Sequence, residues 1–275
     1  MHFHFPFSAP DILWTLAFAG QLVLLVVLMG RDRMARFPWF TAAAVLTGLR
    51  LLCVKLLSGR LPQMTMARVF IVMAEIASLL GLLVILEIAR RAFGTVRRST
   101  WVTWSLALLV LGGIVLAYWG SWPAWKTVRS TLTSMQMLQL MAQKTALLVD
   151  LENVAVGILV VFFGHRYSAG WRSHTQQIVI GLSTASLAQI SIGILWERIV
   201  HSAAPHSMAE YQRLVGLRDK LFNANSAMYV VVLVWWIVWL WRDEPGQGTT
   251  DAARASTASE EKPDLGSPKA GSLPA

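Results

Sequence analysis

Long apolar runs separated by short polar segments dominate the pattern along this chain. At about 1.5 Å of rise per residue, a helix needs about 20 apolar residues to cross the hydrocarbon core of a bilayer. Runs that approach or exceed this length occupy residues 12–30, 37–57, 68–92, 101–120, 140–163, 176–200 and 220–241. The pattern predicts an all-α fold, a polytopic integral membrane protein with a bundle of seven transmembrane helices.

Composition places the chain in the same class. Hydrophobic residues make up 55% of its 275 residues, and the mean hydropathy is +0.53, which is too apolar for a soluble domain of this size. The formal net charge is +9, but basic residues cluster between the runs, as at Arg31, Arg33, Arg36, Arg90, Arg91, Arg97 and Arg98. Such clusters set topology and contact anionic lipid headgroups. The lipid bilayer is therefore the predicted partner, and nucleic acid is not.

The charge pattern also predicts an orientation. The first eleven residues contain no Lys or Arg, whereas the short first, third and fifth connections are rich in them, which favours an outer N-terminus and a cytoplasmic C-terminus. The predicted location is the plasma membrane, or the bacterial inner membrane if the source is bacterial. Residues 1–241 would form the bundle. Residues 242–275 are rich in Gly, Pro, Ser, Ala and charge, a composition that predicts a disordered cytoplasmic tail.

One helix start can be read directly from the sequence. Ser207 stands three residues before Glu210, ahead of apolar residues at helical spacing. This capping-box pattern predicts that the last helix begins well before its apolar run.

Polar residues interrupt the apolar runs in the outer half and middle of the predicted bundle. They are Arg50, Glu75, Asp150, Glu152, Asn153, Gln189, Asn223 and Asn225. A charged group at mid-membrane costs at least about 2.5 to 3.5 kcal/mol, so it must face protein or water. The inner half contains few polar groups. We therefore predict a polar cup that is open to the outside and closed below.

Helical geometry places the two acids of the fifth run on different faces of the helix. Asp150 and Asn153 share a face, whereas Glu152 points about 200° away from Asp150. Both acids avoid lipid only if other helices enclose this helix, or if one acid is neutral. Two interpretations of the polar residues stay open. Either Arg50 pairs with Glu75 or Asp150 to hold the bundle together, or the polar layer binds a ligand or an ion.

Other chemistry finds less support in the sequence. Serine-nucleophile elbows, phosphate loops and paired metal-ligand motifs are absent, so no catalytic residue, cofactor or metal site is predicted and an enzyme is disfavoured. Histidines and methionines near the predicted outer side, such as His2, His4, His206 and Met64, leave outer-side copper handling as a further alternative.

The leading functional hypothesis is a receptor or regulator. It would bind a small or amphiphilic ligand in the outer cup and signal through a separate cytoplasmic protein partner. The alternative is a small-solute or ion carrier in which Glu75, Asp150 and Glu152 titrate during transport. Inverted repeats and helices broken at mid-membrane are typical of carriers, and the sequence shows neither.

Overall fold

The computed structural model describes residues 8–57, 60–92, 107, 112–114, 134–163, 173–202 and 207–242. These residues form helices and no strands. In chain order the helices are α1 (Ala9–Gly30), α2 (Arg33–Arg36), α3 (Pro38–Leu57), α4 (Gln63–Ala92), α5 (Ser134–Phe163), α6 (His174–Ser202) and α7 (Met208–Trp241).

Six of the described helices, all except the four-residue α2, are long and apolar enough to cross a membrane. This confirms the prediction of an all-helical, multi-pass membrane protein. The predicted span at residues 101–120 lies outside the described residues except for residues 107 and 112–114, so the count of seven spans stays a prediction. The predicted tail also lies outside them, apart from Arg242.

Local signals explain where the first helices begin and end. Ser8 precedes α1 and its hydroxyl donates to Asp11 in the first turn at 2.6 Å. Past Gly30, Asp32 adopts the left-handed conformation at φ 52°, which Asp tolerates better than most residues because its short polar side chain bonds locally. The resulting turn reverses the chain within a few residues, so α1 and α3 become antiparallel neighbours.

The start of α3 has an unusual partner. The Phe40 backbone N–H in its first turn donates to Glu87 Oε2 of α4 at 3.1 Å, and Arg91 Nη2 lies 3.8 Å from the other carboxylate oxygen. The first N–H groups of a helix lack partners within that helix. Glu87, only 9% exposed, therefore acts as a cap supplied by a neighbouring helix.

The predicted cap of the last helix is confirmed. Ser207 Oγ accepts the backbone N–H of Glu210 at 3.3 Å, and α7 begins at Met208. Because this cap lies well before the apolar run, α7 extends to 34 residues.

The long helices that the structure describes contact one another in a closed circuit. Neighbours in the chain contact each other from α3 to α7, while α1 contacts both α3 and α7 and so completes the circle. Buried residues such as Leu24 of α1, Phe37 before α3, Ile178 of α6 and Leu233 of α7 form one apolar core. The first and last long helices are therefore direct neighbours, a contact that chain order does not reveal.

Two glycines permit close helix contacts. A Cβ added to Gly157 of α5 would lie 2.6 Å from Ser183 Cβ of α6, and one added to Gly181 of α6 would lie 2.6 Å from Trp236 Cε2 of α7. Real Cβ atoms do not approach other atoms so closely. Small residues commonly mark such contacts in membrane bundles, and here they bring α5, α6 and α7 together around the site described next.

Candidate functional site

A cavity of about 300 Å³ lies among α1, α3, α6 and α7. We call it the upper cavity. Its lining consists of Pro10, Leu13, Trp14, Ala17, Leu51, Ala185, Gln189, Asn223, Asn225, Ser226, Met228 and Tyr229. The residues from α1 belong to the N-terminal half of that helix, which is the half predicted to face outside.

The α6–α7 side of the upper cavity is polar. Asn225 Nδ2 donates to Gln189 Oε1 at 2.6 Å, and Asn223 and Ser226 lie on the same stretch of α7. The structure thus brings together three residues of the predicted polar layer: Gln189, Asn223 and Asn225. Their amides offer both donors and acceptors without net charge.

The α1–α3 side of the upper cavity is apolar and is built around Trp14. The indole Nε1 donates to the Leu51 carbonyl at 3.2 Å, and the ring stacks on Phe18 with centroids 5.5 Å apart. Lys55 Nζ lies 5.3 Å from the ring centroid and 2.9 Å from Asp11 Oδ1. Contacts on several sides therefore hold this aromatic wall in one orientation.

Two linked hydrogen bonds close the upper cavity from below. The Tyr229 hydroxyl donates to Gln21 Oε1 at 2.9 Å, and Gln21 Nε2 donates to the Ala44 carbonyl at 2.7 Å. Gln21 is only 1% exposed. These two hydrogen bonds join α7, α1 and α3. Neither Gln21 nor Tyr229 was among the predicted site residues. A single glutamine within the otherwise apolar run 12–30 was the available signal.

A second cavity of about 160 Å³ lies beneath these hydrogen bonds, and we call it the lower cavity. Its lining is Gln21, Leu24, Phe40, Ala43, Ala44, Thr47, Gly81, Val84, Asn153, Leu182, Tyr229 and Trp236. Tyr229 lines both cavities. Tyr229 therefore lies between the two spaces.

Asp150 belongs to the contact between α5 and α6 rather than to the upper cavity. Its Oδ1 accepts from Ser186 Oγ at 2.7 Å, and the same Ser186 oxygen accepts from Asn153 Nδ2 at 3.1 Å. Ser183 Oγ donates to the Asn153 carbonyl at 2.7 Å. This network joins the two helices, and only Asn153 among its members also lines the lower cavity.

Glu152 faces a different neighbour. Its side chain is 2% exposed and packs against Gly112, where an added Cβ would overlap the Glu152 carboxyl group. Glu152 Oε1 has no hydrogen-bond partner among the described residues. The two acids of α5 thus lie against different parts of the protein, in keeping with their helical spacing.

Arg50 and Glu75 lie apart from both cavities. Arg50 is exposed on the bundle surface and Glu75 is partly exposed, and neither lines a cavity described above. Among the described residues, no ion pair joins Arg50 to Glu75 or Asp150. The eight residues of the predicted layer consequently do not form one cluster in the described part of the bundle.

The described residues contain no group of three or more His, Cys, Asp or Glu side chains placed to hold a metal ion. His2, His4 and His206, which raised the copper alternative, lie outside the described residues. Neutral amides, hydroxyls and an aromatic wall are the chemistry that the upper cavity offers.

No model of a known protein family matches this chain, and no curated protein or solved structure matches it either. The geometry of the two cavities is therefore the basis on which function can be argued.

Proposed function

We propose that this protein is a membrane receptor or regulator that binds a small or amphiphilic ligand in the upper cavity. The observation that carries the proposal is the cavity itself, which is lined by the amides of α6 and α7, by Trp14 of α1 and by Tyr229 at its floor. Its volume of about 300 Å³ is at the small end of the range typical for ligand pockets. Mostly apolar walls with a few convergent polar groups are also typical of such pockets.

The proposal includes the topology. A bundle of seven spans would place the N-terminus outside, the upper cavity toward the outside and the C-terminus in the cytoplasm of a plasma membrane. A separate cytoplasmic protein partner would then receive the signal at the opposite end. Alkaline phosphatase and fluorescent-protein fusions after Trp241 test this orientation. We expect fluorescence without phosphatase activity, and phosphatase activity would contradict the proposed topology.

Ligand binding is tested by a thermal-shift screen of the purified protein against a library of small polar and amphiphilic molecules. A true ligand should raise the melting temperature of the wild type and have a much smaller effect on Asn223→Leu, which removes a lining amide. Gln143→Leu is the matched control, because Gln143 is an exposed amide on α5 that does not line the cavity. Stabilisation that is equal in all three proteins would contradict binding at this site.

A carrier is the second candidate, favoured by one observation. The lower cavity continues beneath the upper one, and Tyr229 lines both. Movement of this side chain would join the two spaces into a longer path. Flux measurements in proteoliposomes, made for every compound that stabilises the protein, distinguish the two functions. Stabilisation without flux supports the receptor, whereas gradient-driven flux supports the carrier. Loss of that flux in Asp150→Asn would support titration of Asp150 during transport.

A further inference from the structure

The lining of the upper cavity carries no formal charge. Its polar groups are the amides of Gln189, Asn223 and Asn225 and the hydroxyls of Ser226 and Tyr229. A charged ligand group would lose part of its water without gaining an opposite charge, which costs more than burying a neutral group that forms hydrogen bonds. The lining therefore disfavours ions.

Two charged residues stand next to lining residues in the sequence, and neither adds a net charge to the lining. Arg50 precedes Leu51, but it is exposed on the bundle surface and does not line the cavity. Asp11 follows the lining residue Pro10, and its carboxylate lies 2.9 Å from Lys55 Nζ. Lys55 Nζ also lies over the Trp14 ring at 5.3 Å from its centroid. Because the charges of Asp11 and Lys55 neutralise one another, they attract neither an anion nor a cation into the cavity on balance.

The hydrogen bond between the lining amides leaves both kinds of group available. Asn225 Nδ2 donates to Gln189 Oε1, so Asn225 Oδ1 is still an acceptor and Gln189 Nε2 is still a donor. No described residue forms a further hydrogen bond with either side chain. A ligand group that both donates and accepts, such as a primary amide or a hydroxyl, matches this pair.

The apolar side of the cavity fits a flat body. Trp14 is held by its bond to the Leu51 carbonyl and by stacking on Phe18, so its ring loses little freedom when a ligand packs against it. Phe18 stacks on the Trp14 ring and Lys55 Nζ lies over it, so a ligand ring would meet Trp14 edge to face, an arrangement that aromatic pairs favour. The amides of Gln189, Asn223 and Asn225 line the same cavity and would be available to a substituent on such a ring.

We infer that the upper cavity selects uncharged small molecules that combine a flat apolar ring with one amide or hydroxyl group. This inference rests on the proposed ligand-binding function and narrows it to a chemical class. The matched aromatic probes benzamide, benzyl alcohol, benzoate and benzylammonium have one ring size and differ in charge and hydrogen-bonding group.

The experiment measures the melting temperature of the full chain in phosphatidylcholine nanodiscs, whose lipids carry no net charge. We expect benzamide and benzyl alcohol to raise it by about 3 to 6 °C at ten times their Kd. The same rise should appear in Gln143→Leu and be largely lost in Gln189→Leu. Asn225→Leu serves as a second lining variant if Gln189→Leu does not fold. Benzoate and benzylammonium should produce no shift that depends on the lining residues.

The other outcomes distinguish failure of the inferred ligand class from failure of the ligand-binding proposal. A shift by benzoate or benzylammonium that depends on Gln189 or Asn225 would overturn the inferred class and leave the ligand-binding proposal standing. Neutral probes that act equally on all variants, or not at all, would also overturn the inferred class. In that case the library screen with Asn223→Leu decides the proposed function separately, because that screen includes charged compounds.

Discussion

Removing the Tyr229 hydroxyl should destabilise the bundle through Gln21. In Tyr229→Phe the hydroxyl that lies 2.9 Å from Gln21 Oε1 is lost, and Gln21 is only 1% exposed. An interhelical hydrogen bond in a membrane protein contributes about 0.6 kcal/mol on average and at most about 1.7 kcal/mol. A buried acceptor left without a partner costs about 1 to 3 kcal/mol. We expect a loss of about 1 to 2 kcal/mol in the free energy of unfolding.

A double-mutant cycle isolates this hydrogen bond. Gln21→Leu should cost about 1 to 3 kcal/mol, because it also removes the bond to the Ala44 carbonyl. The double variant should be more stable than the sum of the single losses predicts, with a coupling of about 0.6 to 1.7 kcal/mol. The measurement is reversible unfolding in mixed lipid and sodium dodecyl sulfate micelles, followed by tryptophan fluorescence. Tyr211→Phe is the control, since Tyr211 is 56% exposed and should change stability little.

Additive losses would refute this reasoning. A coupling energy below about 0.3 kcal/mol is within the deviation seen for independent sites. Such a result would mean that the hydroxyl and the amide do not stabilise each other, and that Tyr229 does not close the floor of the upper cavity through Gln21. If Tyr211→Phe lost as much stability as Tyr229→Phe, the loss in Tyr229→Phe could not be assigned to its hydrogen bond with Gln21.

Two further predictions concern helix contacts and use the same unfolding measurement. Gly157→Ala should cost about 1 to 3 kcal/mol, because the added Cβ would lie 2.6 Å from Ser183 Cβ and α5 and α6 would have to separate. Gly193→Ala is its control. Nothing lies within 4 Å of the position of its Cβ, so alanine should be neutral or stabilising by up to about 1 kcal/mol through helix propensity. If Gly157→Ala and Gly193→Ala both lost stability, close packing at Gly157 would not be the cause. Glu87→Ala should cost about 1 kcal/mol by removing the acceptor of the Phe40 N–H at the start of α3, whereas Glu87→Gln should cost less because its amide oxygen still accepts. An equal loss in both Glu87 variants would show that the acceptor is not what stabilises α3.

The helices were predictable because their causes are local. The length of an apolar run decides whether it can span a bilayer, and the run at residues 12–30 corresponds to α1 at Ala9–Gly30. Caps are local as well, and Ser207 with Glu210 predicted an early start for α7 that the apolar run alone would have missed. Distant parts of the chain contribute little to these signals.

The site was predictable only in part. The depth of a residue in the membrane follows from its position along one helix, whereas the direction of its side chain relative to the bundle depends on several helices. Gln189, Asn223 and Asn225 were singled out by depth, and they do line one cavity. Arg50 was singled out in the same way, yet it is exposed on the bundle surface. Tyr229 was overlooked because its importance comes from the contact of α7 with α1, two helices at opposite ends of the chain.

The acids of α5 show how a local rule can still imply a tertiary arrangement. Asp150 and Glu152 point in directions about 200° apart, and neither charge is tolerated in lipid. A helix with acids on opposite faces must therefore have protein or water on both. The structure provides Ser186 of α6 on one side and Gly112 on the other. Because Gly112 covers Glu152 and Ser186 bonds Asp150, each acid of α5 has protein on its own side, as their helical spacing requires.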